Sequence, residues 1–139
     1  MSGPAPEMIE LAKLTMTRAY APYSRFSVGA VLRGENGKLY GGCNVENAAY
    51  PVGCCAEASA ISAMIADGEQ RIAEVLVMAS GAKPVTPCGA CRQRLREFAT
   101  DDVAVHLCDQ NGLRRTVKLG ELLPLSFGPE HLGKKAQDL

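Results

Sequence analysis

Cys54-Cys55-Ala56-Glu57-Ala58-Ser59-Ala60-Ile61-Ser62-Ala63-Met64-Ile65-Ala66-Asp67 is the stretch on which the fold turns. Ala60, Ile61, Met64 and Ile65 recur at the period of a helix with one apolar face, and Gly68 suits the residue just past its end. The spacing predicts a helix from about Cys55 to Asp67. Val75-Leu76-Val77-Met78 follows, a continuous apolar run typical of a strand covered on both faces. Pro87-Cys88-Gly89-Ala90-Cys91 then opens another helix, which continues to Phe98 with Leu95 and Phe98 as core anchors. Helix, doubly covered strand and helix in succession belong to an α/β sheet.

Outward from this centre the same periodicities continue. Ile9, Ala12, Met16 and Ala19 place a first helix over Glu7 to Tyr20, which Ala21-Pro22-Tyr23-Ser24 breaks. Val28, Ala30 and Leu32 alternate as in a half-buried strand. Glu35-Asn36-Gly37-Lys38 carries the Asn-Gly signal of a hairpin, with a returning strand over Leu39 to Asn44. Beyond the third helix, Val103, Val105 and Leu107 alternate again, and Asp109-Gln110-Asn111-Gly112 turns the chain. Arg114 to Lys118 adds a last strand, and Leu119 to Leu123 a small helix. The expected fold is α/β, a three-layer α-β-α sandwich with a mixed central sheet of about five strands. No repeat, low-complexity tract or linker divides residues 1–139, so one domain is expected.

Composition narrows the function. The chain has 139 residues, 47% hydrophobic and 22% charged, a balance unlike a disordered tail or a membrane protein. Fifteen Lys plus Arg offset fifteen Asp plus Glu, which speaks against a dedicated nucleic-acid binder while leaving room for a small basic patch. With 5% aromatics and no Trp there are few platforms for stacked bases. No apolar stretch approaches the ~20 residues of a membrane span. The segment Met1-Ser2-Gly3-Pro4-Ala5-Pro6-Glu7 shows no basic and then apolar leader. A cytoplasmic protein is expected, in which six cysteines stay reduced and serve metal binding or chemistry rather than disulfides.

The cysteines cluster at two loop-to-helix junctions. Cys88 and Cys91 stand three apart on a helix, so both thiols face one point, and Cys55 brings a third from the start of the other helix. Cys55 and Glu57 are about 200° apart around a helix, yet both reach a metal placed just off its N-terminus, toward which side chains tilt. Helix N-termini also favour thiolates. Three ligands and one open position describe a catalytic zinc site, and a carboxylate beside it is a proton shuttle. Two other readings stay open at this point: a redox dithiol at Cys88 and Cys91, or a closed structural site with Cys54 as fourth ligand. Adjacent residues rarely ligate one ion, so Cys54 is otherwise read as a small buried hydrophobe. Cys43 and Cys108, on strands, are expected in the core, and His106 and His131 as structural or solvent-facing groups.

Cys55-Ala56-Glu57 with Pro87-Cys88-Gly89-Ala90-Cys91 resembles the signature of zinc nucleoside deaminases in its three-cysteine form. Pro22-Tyr23-Ser24-Arg25-Phe26-Ser27-Val28-Gly29-Ala30, Cys43-Asn44-Val45-Glu46-Asn47-Ala48-Ala49-Tyr50-Pro51 and Ser126-Phe127-Gly128-Pro129 are similar to the small homotetrameric cytidine deaminases. The resemblance implies Cys55, Cys88 and Cys91 as ligands of one Zn²⁺ per subunit and Glu57 as general acid/base. It implies Asn44 and Glu46 as partners of the ribose hydroxyl at C3, and Phe26 as packing near the pyrimidine. It places the Ala56 N–H on the base carbonyl, and Tyr50 and Phe127 at a neighbouring subunit's site. The implied reaction is hydrolytic deamination of cytidine and 2′-deoxycytidine in pyrimidine salvage, by a homotetramer with shared active sites and no nucleic-acid or membrane partner. Three alternatives are a deaminase of modified aminopyrimidine nucleosides, a non-catalytic zinc-stabilised scaffold and a polynucleotide editor. Asn44 and Glu46 weigh against the first, Glu57 against the second, and zero net charge with short length against the third. The chain departs from the pattern at Ala58, where the family often has an Arg that hydrogen-bonds the cysteine sulfurs; Arg92, next to Cys91, is the candidate substitute.

Overall fold

Pro6 occupies the first turn of α1 (Pro6–Thr17), where its missing N–H leaves no hydrogen bond unmade. The computed structural model describes residues 2–134; Met1 and residues 135–139 of the expected domain lie outside the described residues. The first helix ends at Thr17, three residues before the sequence pattern stops. The Tyr20 N–H donates to the Asn44 carbonyl at 2.9 Å, and the Glu46 N–H donates to the Tyr20 carbonyl at 2.9 Å. Pairing with residues 44–46 therefore pulls Tyr20 out of the helix.

Among the described residues five strands form one sheet: β1 (Val28–Gly34), β2 (Leu39–Cys43), β3 (Ile72–Ala79), β4 (Ala104–Asp109) and β5 (Gly112–Lys118), in the order β2-β1-β3-β4-β5. Only β3 and β4 run parallel; the other neighbours are antiparallel. α3 (Gly89–Phe98) lies on the crossover between the parallel pair, which no tight turn can join. α2 (Ala56–Ala66), α3 and α4 (Leu119–Leu122) cover one face, where Ala60, Met64, Leu95 and Leu119 pack on Leu32, Val75, Val77 and Val105. α1 covers the other, with Met8 and Ala12 against Val31, Leu76, Met78 and Cys108. This is the expected three-layer sandwich, and Val75 to Ala79 are buried as a doubly covered strand should be.

Two glycines of β2 set how closely the helices approach it. A Cβ on Gly42 would lie 2.4 Å from the Ala60 nitrogen and 2.6 Å from the Ala56 oxygen, so only a bare Cα lets α2 lie this close. On the opposite face, a Cβ on Gly41 would lie 2.9 Å from Thr15 Cγ2 of α1.

The cysteines outside the cluster and the histidines separate. Cys108 is buried, and burial pushes its thiol up to about 11. Cys43 is only half-buried, at the end of β2. Cys54 is exposed rather than buried, because it lines an open pocket just ahead of α2, with the Ser59 hydroxyl 3.6 Å from its sulfur. His106 is a satisfied core residue, 2.6 Å from Glu74 and 2.8 Å from Thr116. Exposed His131 stacks on Phe127 at 5.1 Å.

Candidate active site

Two helix N-termini converge. Cys55 and Cys88 are the extended residues immediately before α2 and α3, and Cys91 sits in the first turn of α3. Their sulfurs all lie within 4.8 Å of one another. Cys54, adjacent in sequence, is not part of this group.

Electrostatics says what such a cluster needs. Burial raises the Cys55 thiol, and burial followed by the Glu57, Cys55 and Cys88 charges pushes Cys91 far higher. Cys88 moves the other way, because the Cys91 and Ala90 backbone N–H groups at the start of α3 favour its thiolate. Three thiolates cannot share this space alone; a dication in their midst would hold all three deprotonated. Tetrahedral zinc with Zn–S of about 2.3 Å needs sulfurs about 3.8 Å apart, a separation that this grouping accommodates. Three soft sulfur donors, with no fourth protein ligand grouped with them among the described residues, fit zinc with one position left open.

Glu57 is 5% exposed, in the first turn of α2. Burial is the main cause that lifts its carboxyl above the ordinary range, and the Cys91 thiol and Arg94 charge partly oppose it. A carboxyl raised in this way holds a proton more readily than one in water, which favours a role in proton transfer.

A pocket of about 410 Å³ opens beside the cluster, with Cys55 in its wall. Val45 and Cys54 exchange two backbone hydrogen bonds of 2.8 Å, which fixes Asn44 and Glu46 on either side of Val45 next to the start of α2. Asn44 braces the preceding loop: its Oδ1 accepts from the Val28 N–H and its Nδ2 donates to the Phe26 carbonyl, both at 2.9 Å. Glu46 Oε1 accepts from the Tyr23 and Ser24 N–H groups at 3.0 Å, and its Oε2 accepts from the Ser24 hydroxyl. These bonds, chiefly the hydroxyl, hold the Glu46 carboxyl below its ordinary value. Each side chain keeps spare capacity: one N–H and one lone pair on Asn44, and a lone pair on Glu46 Oε2.

The first 107 residues match a known pattern almost throughout. The family model described as the cytidine and deoxycytidylate deaminase zinc-binding region matches residues 4–107. The chain belongs to this family. It is 39% identical over 131 residues to a cytidine deaminase of Sporosarcina psychrophila, covering 94% of this chain and 96% of that one. A cytidine deaminase of Halalkalibacterium halodurans is 40% identical over 114 residues, 82% of this chain and 86% of the relative. The crystal structure of a Burkholderia pseudomallei cytidine deaminase superposes with a TM-score of 0.83 at 40% identity, covering 89% of this chain and 99% of that one.

Within this family site, the pocket gathers Asn44, Glu46, Tyr50 and Cys55 of the expected residues. Ala56 and Glu57 are buried behind Cys55. Phe26, 42% exposed, and Phe127, 57% exposed, are not part of its wall. Tyr50 lines the pocket of its own chain, its ring 5.8 Å from that of Tyr23. Tyr23 and Ser24 join the wall although no role was expected of them; they stand in the Pro22 to Ala30 block that carried the resemblance.

The expectation for Arg92 is overturned. Its guanidinium donates to the Pro87 carbonyl at 2.7 Å, the Leu122 carbonyl at 2.7 Å and the Thr86 hydroxyl at 2.8 Å, not to sulfur. Arg94 reaches the cluster instead, its Nη1 3.5 Å from Cys91 Sγ. Helical spacing is the signal that finds it: a residue one position on points about 100° away, whereas one three positions on returns to the same face.

Proposed function

We propose that this chain hydrolytically deaminates cytidine and 2′-deoxycytidine, giving uridine or 2′-deoxyuridine and ammonia, as part of pyrimidine salvage. One observation carries the reading: three cysteine sulfurs at two helix N-termini, with a buried glutamate beside them and a nucleoside-sized pocket sharing Cys55. The cytidine deaminases that this chain is similar to over most of its length support the substrate.

Cys55, Cys88 and Cys91 would hold one zinc ion per subunit. When bound, zinc supplies a Lewis acid that makes water nucleophilic near neutral pH. Glu57 takes one proton of the attacking water and delivers it to ring nitrogen N3 as the water oxygen bonds to C4; it then moves that oxygen's remaining proton to the amine, so that the C4–N bond breaks and ammonia leaves. The Ala56 N–H, in the first turn of α2 and without a helical acceptor, is assigned to the base carbonyl. Asn44 and Glu46 offer their spare donor and acceptor sites to the ribose hydroxyl at C3, while their other bonds keep them still. Phe26 packs near the pyrimidine.

A single subunit leaves this site open. Tyr50 is 73% exposed and Phe127 57%, and Leu125, Val52 and Leu132 are also exposed. Apolar surface of this kind supports the reading that Tyr50 and Phe127 close a neighbouring copy's pocket in a homotetramer. Among the described residues no helix is long and apolar enough to cross a membrane, and all six cysteines are free, which supports a cytoplasmic setting. The deciding experiment pairs zinc content with ammonia release from cytidine and deoxycytidine. About one zinc per chain with turnover is expected. Stoichiometric zinc without turnover of either nucleoside would return the reading to a scaffold or to a deaminase of modified nucleosides.

A further inference from the structure

Three thiolates around a dication leave one net negative charge, and Glu57 adds a carboxylate beside them. Cys91 is fully buried, so water cannot share the charge of its sulfur. Uncompensated charge in such a place is costly, and hydrogen bonds to the ligand atoms are the usual remedy. Among the described residues, the one cationic side chain that hydrogen-bonds a cluster sulfur is Arg94, through Nη1 to Cys91 Sγ at 3.5 Å.

The geometry around Arg94 has a second part. Ala58 stands three residues after Cys55 on α2, and Arg94 three residues after Cys91 on α3. Both line one groove of about 380 Å³ between the two helices, together with Ser62 and Phe98. None of the residues of this groove lines the nucleoside pocket. The small side chain of Ala58 leaves space in a groove that can be filled from either helix.

We infer that Arg94 is a positioning residue of the metal centre: from the back of the site it fixes and neutralises the Cys91 thiolate, and so governs how tightly zinc is held. It does not line the nucleoside pocket, and its hydrogen bond in the site is to the sulfur. Because the two helices offer equivalent positions to one groove, an arginine at position 58 should replace it. The inference rests on the zinc reading of Cys55, Cys88 and Cys91.

The test measures zinc release to a chromogenic chelator, alongside kcat and KM for cytidine. The proteins are the parent chain, Arg94→Met, the double variant Arg94→Met with Ala58→Arg, and Cys88→Ala. Arg94→Met should lose zinc about tenfold faster or more and lower kcat, with KM within about twofold. The double variant should regain slow zinc release. Parent-like zinc release from Arg94→Met would overturn the inference, as would a rise in KM alone, which would place Arg94 at the pocket. Stoichiometric, tightly held zinc in Cys88→Ala would instead overturn the ligand assignment beneath it. Arg94 is exposed, so circular dichroism of Arg94→Met should match the parent. If it does not, Arg94→Gln, which keeps a donor without the charge, is read in its place, with the same fast release expected.

Discussion

Replacing Gly42 by alanine perturbs the docking of α2 with one methyl group. The new Cβ would sit 2.4 Å from the Ala60 nitrogen, 2.6 Å from the Ala56 oxygen and 2.9 Å from the Ser59 carbonyl carbon. All three are backbone atoms, so no rotamer change relieves the overlap. Ordinary contact begins at 3.4 Å, and the helix must retreat by about 1 Å. Overpacking of this kind costs about 1–3 kcal/mol, and the stiffer unfolded chain returns about 0.4–1 kcal/mol. A net loss of about 1.3 kcal/mol lowers the melting temperature of a chain this long by roughly 4–5 °C. The retreat also carries Cys55 and Glu57 away from Cys88 and Cys91, and misplacement by about 1 Å can cost about 10²-fold in rate. Thermal unfolding, zinc content and kcat for cytidine measure the two effects separately. Gly89→Ala is the control for stability, because nothing lies within 4 Å of its added Cβ, at the start of α3. A Gly42→Ala protein that melts within a degree of the parent and keeps zinc and kcat would refute the claim that this contact positions the site.

Glu57→Gln should keep fold and zinc but lose turnover by more than about 10³-fold, since the amide cannot accept and pass on a proton; a tenth of parental kcat would refute the shuttle role. Cys55→Ala, Cys88→Ala and Cys91→Ala should each lose zinc, whereas Cys54→Ala should keep both metal and activity, read by zinc analysis and ammonia release. Phe127→Ala should raise KM or lower kcat, and light scattering of the parent should give four copies of the 14.7 kDa chain; an active monomer would exclude shared sites. Tyr40 donates to Asp67 at 2.6 Å, a bond that holds Asp67 below 3.8 and raises Tyr40 above 10.0. Its stabilisation is therefore present between the unfolded values, fades as pH falls through the lowered Asp67 value, and fades as pH rises through the raised Tyr40 value. Tyr40→Phe should melt lower than the parent near pH 7, by a margin that narrows as pH falls through the lowered Asp67 value.

Periodicity made the elements legible because each buries one face. Ala60 and Met64 on α2, Leu95 on α3 and the run from Val75 to Met78 lie where the pattern places them. The cysteine cluster was legible for a related reason: helix spacing fixes where Cys88 and Cys91 point, and Cys55 stands at the start of the other helix. What periodicity does not carry is contact between segments distant in sequence. Nothing local indicates that Tyr20 leaves its helix to pair beside Val45, or that the Tyr23 and Ser24 N–H groups latch onto Glu46. The arginines show the same divide within one helix. Adjacency to Cys91 pointed to Arg92, and the rotation per residue of the helix points to Arg94.

The site joins two helix ends that the fold anchors by different means. α2 is held against β2 by close backbone contact at Gly42 and by the Ser59 hydroxyl, which donates to the Cys43 carbonyl at 3.0 Å. α3 is held by Leu95 in the core and by Arg92, whose three hydrogen bonds tie the loop before Cys88 to the end of α4. Bringing Cys55 from one to Cys88 and Cys91 of the other crowds three thiols, and burial and mutual repulsion oppose their ionisation at two of the three. Crowding of like charge is a poor way to stabilise a fold and a good way to bind a dication, because the energy withheld in the metal-free cluster is released on binding. The independent anchors make this possible. With α2 fixed by β2 and α3 fixed by α4, the sulfurs cannot simply move apart, and the cluster stays poised for its ion.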